Sequence, residues 1–171
     1  IYTFKITLDA QDEIGILSDV EFEVQVSVTF VEYYEEDTGE KETEFRVKSY
    51  YDKISSFEYD TKANNAKISF PFDFSETNIS HTNVIHTEIM FPKNTLEFLS
   101  PNYSGTSNGI ELFKSSIFID DYSEEDNRIV HFVLLPDHIR HIKNQLKNME
   151  ADSSSVILPD SIDLILNKGK E

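Results

Sequence analysis

The chain contains no cysteine and no tryptophan. Without thiols it has no disulfide framework, no thiolate nucleophile, no Cys-ligated zinc and no iron–sulfur cluster, and it is indifferent to the redox compartment. Glycine is scarce as well, with five residues, and no P-loop, dinucleotide-binding fingerprint or Gly-x-Ser-x-Gly elbow occurs. No pair of carboxylates stands out from the general acidity, so no enzymatic activity is expected. Positive charge is the third shortage: 15 Lys and Arg stand against 32 Asp and Glu, a formal charge of −17. Nucleic acid and anionic membrane surfaces would meet net repulsion that no Lys/Arg stripe offsets, which excludes them as default partners. No apolar run reaches the ~18 residues of a membrane-spanning helix, so no transmembrane segment is expected. The chain opens on Ile1 rather than Met, as expected of a processed chain or an excised region.

What the chain does have is aromatic bulk and alternation. Its 13 Phe and 8 Tyr supply enough apolar surface to offset the entropy of ordering, so this acidic chain is expected to fold. Tyr2, Phe4, Ile6 and Leu8 alternate with polar residues, and Val20, Phe22, Val24, Val26, Val28 and Phe30 do so over a longer stretch. A period of two is that of half-buried antiparallel strands. Phe45, Val47 and Tyr51 follow the polar stretch Glu35–Thr43, whose Asp37-Thr38-Gly39 marks a hairpin connection. Ile54–Tyr59 and the run Ile68, Phe70, Phe72, Phe74 form a second expected hairpin, with Pro71 placing an edge or a bend in it. Val84–Phe91 is a further apolar run, and Ser115–Ile119 with Arg128–Leu135 reads as a hairpin with an acidic tip. Pro92–Leu99 reads as a helical turn and Ser100–Gly109 as a solvated loop.

One helix is expected after Pro136, with Asp137 as N-cap and Ile139, Ile142, Leu146 and Met149 on a single apolar stripe. Val156–Leu158 and Ile162–Leu166 leave room for a last strand. These features specify an all-β, antiparallel two-sheet sandwich, Ig-like or jelly-roll-like, with one short amphipathic helix near the C-terminus. Residues 1–171 read as one domain, with N-terminal strands and a long hairpin at 1–52, the sandwich core at 53–142 and a C-terminal extension at 143–171. Strands at 1–8 or 156–166 are expected to add to the sheet of a protein partner through an exposed edge.

Between Lys53 and Ile142 a series of short motifs follows in order: Ile54-Ser55-Ser56-Phe57-Glu58-Tyr59-Asp60, Lys67-Ile68-Ser69-Phe70, Ile89-Met90-Phe91-Pro92-Lys93 with Leu96, Phe118-Ile119-Asp120-Asp121, Val130-His131-Phe132 and His138-Ile139. This series resembles the β-sandwich domain of secreted and cell-surface proteins of ammonia-oxidising archaea. Asp121 stands where that family usually carries Gly, and the helix after Asp137 takes the place of its closing strand. The resemblance implies an extracytoplasmic, non-enzymatic module that works by display or contact.

Three constellations carry possible chemistry. His138 and His141 lie three apart on one helical face, and His131 precedes them closely, so the three form a candidate copper or zinc set, as in an accessory soluble subunit of a membrane complex; the competing reading is a solvated helix face. His81 and His86, five apart, fall on opposite faces of a strand and cannot share a site. Asp120, Asp121, Glu124 and Asp126 concentrate carboxylates on a hairpin tip as a candidate calcium site, without the spacing or central glycine of an EF-hand. A solvated loop that blocks aggregation competes with that reading. Tyr33, Tyr34, Tyr50 and Tyr51 offer either a sugar-stacking platform or cover for the core. Asn78 and Asn102 open two N-glycosylation sequons.

Overall fold

Alternation is realised as strand pairing, and the pairing sorts residues onto two faces. The computed structural model describes residues 2–11, 17–26, 29–38, 41–149 and 157–169. Strands β1 (Tyr2–Gln11) and β2 (Leu17–Val26) pair antiparallel as a two-stranded ribbon, in a register that sets Phe4 opposite Val24 and Ile6 opposite Phe22. The long alternation expected through Phe30 is divided. β2 ends at Val26 and β3 (Phe30–Asp37) belongs to a different sheet, with residues 27–28 outside the described residues.

Ten strands make two five-stranded sheets. The first runs in the order β10 (Ile117–Asp120), β11 (Asn127–Leu134), β7 (Ile85–Pro92), β4 (Glu42–Ser49), β3. The second runs β5 (Ser56–Asp60), β6 (Asn65–Pro71), β12 (Ser161–Lys168), β8 (Tyr103–Ser107), β9 (Ile110–Glu111). Every neighbouring pair is antiparallel, so the fold is the expected all-β two-sheet sandwich. Helix α2 (Pro136–Met149) buries Ile139 and Ile142, while Met149, placed on the same stripe by its spacing, is exposed. A second, unexpected helix, α1 (Glu76–His81), is capped by Ser75, whose Oγ accepts the Asn78 N–H at 3.2 Å.

The core lies between the sheets. Phe45 and Val47 of β4, Ile89 and Phe91 of β7, and Val130 and Phe132 of β11 meet Phe57, Ile68, Phe70, Ile162, Leu164 and Leu166 of the second sheet. Phe45 sits among the rings of Phe57 (centroids 5.2 Å apart), Tyr59 (5.4 Å) and Phe91 (6.0 Å). Burial there pushes the Tyr59 phenol up to about 12.

Three expectations are corrected. The sandwich is not confined to residues 53–142, because β3 and β4 precede that range and β12 follows it. β12 pairs with β6 on one side and β8 on the other, so residues 161–166 are a central strand and cannot act as a free edge; Val156 lies outside the described residues. The stretch read as a solvated loop, Ser100–Gly109, contains β8. Its inward positions are Gly105 and Ser107, too small to register as an apolar alternation. A β-carbon at Gly105 would lie 2.8 Å from Ile117 Cδ1 and 3.1 Å from Phe132 Cε1, so close approach of the sheets demands the missing side chain. The helical turn expected in Pro92–Leu99 lies at its end, where the Leu99 N–H bonds the Thr95 carbonyl at 2.8 Å, and Pro71 ends β6.

Because Phe45 is fully buried against rings from both sheets, Phe45→Ala is expected to destabilise the fold by about 3–5 kcal/mol in urea unfolding monitored by Tyr fluorescence.

Candidate metal centre

The same alternation that turns Ile89 and Phe91 into the core turns His86 and Glu88 to the outer face of the first sheet. Register then supplies their neighbours. β11 sets His131 opposite Glu88 and Val133 opposite His86, and β4 sets Lys48 opposite Glu88. His86 and His131 are therefore diagonal neighbours across the strand pair, within reach of ring side chains. His86 Nε2 lies 3.0 Å from His131 Nδ1, and Glu88 Oε1 lies 3.7 Å and 3.6 Å from those two nitrogens. Glu88 is buried, 8% exposed.

A second layer of side chains holds these three in place. The Tyr50 ring stacks on His86 with centroids 4.6 Å apart and planes 9° from parallel, and its hydroxyl donates to Glu88 Oε1 at 2.9 Å. Burial and that bond to Glu88 push the Tyr50 phenol up. The Lys48 ammonium stands 3.5 Å from the other oxygen, Glu88 Oε2. On the far side of the His131 ring, Nε2 lies 4.0 Å from Asp120 Oδ2. Asp120 is itself fixed by hydrogen bonds from the Ser123 hydroxyl and from the backbone N–H groups of Ser123 and Tyr122, which hold its carboxyl down at about 2. Burial keeps His86 below the ordinary imidazole range, with His131 adding to the effect and Glu88 opposing it. His86 Nε2 and His131 Nδ1 share a hydrogen bond at 3.0 Å, so one of the two nitrogens carries the proton and the other accepts it.

Three donors ~2.0–2.1 Å from a tetrahedral zinc ion stand about 3.3–3.4 Å from one another. The observed separations of 3.0, 3.6 and 3.7 Å bracket that value. Among the described residues this is the one group of three His, Asp or Glu side chains whose donor atoms converge for an ion.

The sequence-derived histidine set is not assembled. His131 belongs with His86 and Glu88 on the sheet, whereas His138 Nδ1 is hydrogen-bonded to Ser116 Oγ at 3.0 Å. His138 and His141 both pack against the Phe113 ring, with centroids 5.1 Å and 5.0 Å away. His81 ends α1, its Nδ1 2.6 Å from the Thr77 carbonyl, so the strand that was to oppose it to His86 does not exist. A residue pattern did point to the observed group: His86-Thr87-Glu88 places an imidazole and a carboxylate on one strand face. Its partner His131 is 45 residues away and is reached only through strand register.

The acidic hairpin tip has its cations built in. Lys93 Nζ donates to the carbonyls of Asp121 (2.8 Å), Glu124 (3.1 Å) and Glu125 (2.8 Å), the position in which a bound ion would collect oxygens. Asp121 receives two bonds from Arg128, both 2.7 Å, and Glu124 receives Arg46 at 3.0 Å. The Asp126 carbonyl accepts the Lys93 N–H at 2.9 Å. The four residues proposed for calcium therefore do not converge on a common centre.

The tyrosines also separate: Tyr33 and Tyr34 are adjacent on β3 and face opposite ways, and Tyr50 and Tyr51 lie in the bend that follows β4. Tyr34 packs on Phe57 and Tyr51 on Phe70 and Phe72, while Tyr50 joins the His86 cluster and Tyr33 is exposed. The sequon Asn78 is engaged, its amide donating to the Asp73 carbonyl at 2.8 Å, whereas Asn102 is exposed. An open groove of 810 Å³ between the helices and the end of β6 is lined by Tyr51, Phe72, Asn78, Lys143 and Asp160, and none of the three metal-site residues lines it.

Removing the internal cation leaves three carbonyls without their donor, so Lys93→Met is expected to lower stability by about 1–2 kcal/mol in a thermal melt. Asp120 has a carboxyl pKa depressed by folding, so its contribution is present above the unfolded value and is lost as the pH falls. Stability measured from pH 4 down to pH 2 should fall less steeply in Asp120→Asn than in the wild type. Comparison with known proteins finds no matching family model, no matching curated protein and no matching solved structure.

Proposed function

We propose that this chain is a non-catalytic, extracytoplasmic β-sandwich module that binds a divalent transition-metal ion, zinc or copper, on the outer face of its first sheet through His86, Glu88 and His131. The observation that carries the proposal is the spacing of Nε2, Nδ1 and Oε1, close to the edges of a metal tetrahedron. A buried carboxylate beside two imidazoles adds to it, because the three together offer the mixed oxygen and nitrogen donors that zinc takes. Asp120 stands on the far side of the His131 ring, 4.0 Å from Nε2, beyond hydrogen-bond distance but on the side from which an outer carboxylate favours a metal-binding imidazole. Placement outside the cytoplasm follows the resemblance over residues 53–142. The non-catalytic part of the reading rests on the setting, a sheet face outside the groove.

A contact role with a protein partner is the second reading. It is favoured by Phe118, Ile119 and Tyr122, which are 49%, 37% and 96% exposed on the hairpin that carries Asp120. Among the described residues, free edges for strand addition are β1 and β2 of the ribbon, β3 and β10 in the first sheet, and β5 and β9 in the second.

Isothermal titration with zinc separates the two. One equivalent is expected to bind the wild type and His138→Ala/His141→Ala alike, and His86→Ala/His131→Ala is expected to lose binding by at least about 100-fold. An absence of zinc and copper binding to the wild type would remove the metal reading and leave the contact role.

A further inference from the structure

The metal site has more positive charge around it than its ligands use. Without an ion, the Lys48 ammonium is the counter-charge of the buried Glu88, 3.5 Å from Oε2, and its side chain is a quarter exposed. Once Glu88 is bound to a divalent ion, that carboxylate no longer neutralises Lys48, and two neutral imidazoles contribute no charge. Counting the ion, Glu88, Lys48 and the nearby Asp120, one positive charge is left over. Arg46 lies two residues before Lys48 on the same face of β4; one of its terminal nitrogens holds Glu124, and its Nε is buried without a hydrogen-bond partner. The described residues supply three donors, and a zinc-type ion takes at least four.

We infer that the loaded site takes a small carboxylate-type monoanion as an exogenous ligand, one oxygen on the ion and the other toward Lys48. The inference rests on the metal reading above. A monoanion completes both the coordination and the charge, whereas a phosphate dianion overshoots the charge and neutral water leaves Lys48 unmatched. Two oxygens on one carbon are also the simplest group able to reach an ion and an ammonium together.

The test uses the full chain loaded to saturation with Co(II), whose visible d–d bands report its coordination shell. Acetate, inorganic phosphate and chloride are titrated at constant ionic strength. Acetate is expected to change the bands saturably. Lys48→Gln, also saturated with Co(II), is expected to weaken acetate by about tenfold, and Lys48→Arg to restore most of the loss. Bands that are present but unmoved by acetate would overturn the inference and leave the metal reading standing. The same holds for acetate affinity indifferent to Lys48, or phosphate binding more tightly than acetate. No Co(II) bands in the wild type would overturn both, and loss of the bands in His131→Ala ties them to this site.

Discussion

The antiparallel pairing of β7 with β11 on one side and β4 on the other constrains both faces of the first sheet at once. Inward, it aligns Ile89 and Phe91 with Val130, Phe132, Phe45 and Val47, the apolar layer on which the second sheet rests. Outward, the same register brings His86, Glu88 and His131 together and puts Lys48 beside the carboxylate. A slip of one residue would exchange the faces, sending charged groups into the core and phenylalanines into water. The core's demand for a unique register therefore positions the polar cluster with the precision of the hydrophobic packing beneath it.

Electrostatics in this molecule is a matter of placing few cations among many anions. Lys93, Arg128 and Arg46 all reach the Asp120–Asp126 hairpin, where they hold backbone carbonyls, Asp121 and Glu124. Their effect is mechanical, because they stiffen the turn that presents Asp120 to His131. Charged hydrogen bonds of this kind are stronger than neutral ones, although partial exposure moderates each. The acidic tip is thus a braced support for one metal-site imidazole, with the carboxylates of Asp120, Asp121 and Glu124 already engaged within it.

Legibility in the sequence tracked side-chain size. Strands with bulky alternating residues, such as Ile68 with Phe70 and Val130 with Phe132, are recognisable because period two and burial coincide. β8 is not, because its place under Ile117 and Phe132 requires glycine and serine. The α2 stripe is legible through Ile142 and fades by Met149, where the helix has run past the surface it covers. The tyrosines show the same limit from the other side. Four aromatic residues in two adjacent pairs look like a cluster, yet strand alternation on β3 splits Tyr33 from Tyr34, and the bend that follows β4 sends Tyr50 to His86 and Tyr51 to Phe70 and Phe72.

The amino-acid sequence by itself determined the class of the fold, since alternation of apolar and polar residues has one stable outcome when most of the apolar residues are phenylalanine, valine and isoleucine. It also determined which residue types are available: histidines and carboxylates without thiols, in a chain with twice as many acids as bases. Only the tertiary structure decided which of them meet. His131 is close in sequence to His138 and His141, but those two turn to Phe113 and Ser116, while His86, 45 residues away, lies across the strand pair at 3.0 Å. Helical spacing is a local property that can be read along the chain. Cross-strand neighbours follow from register, and register is set by long-range packing of the core.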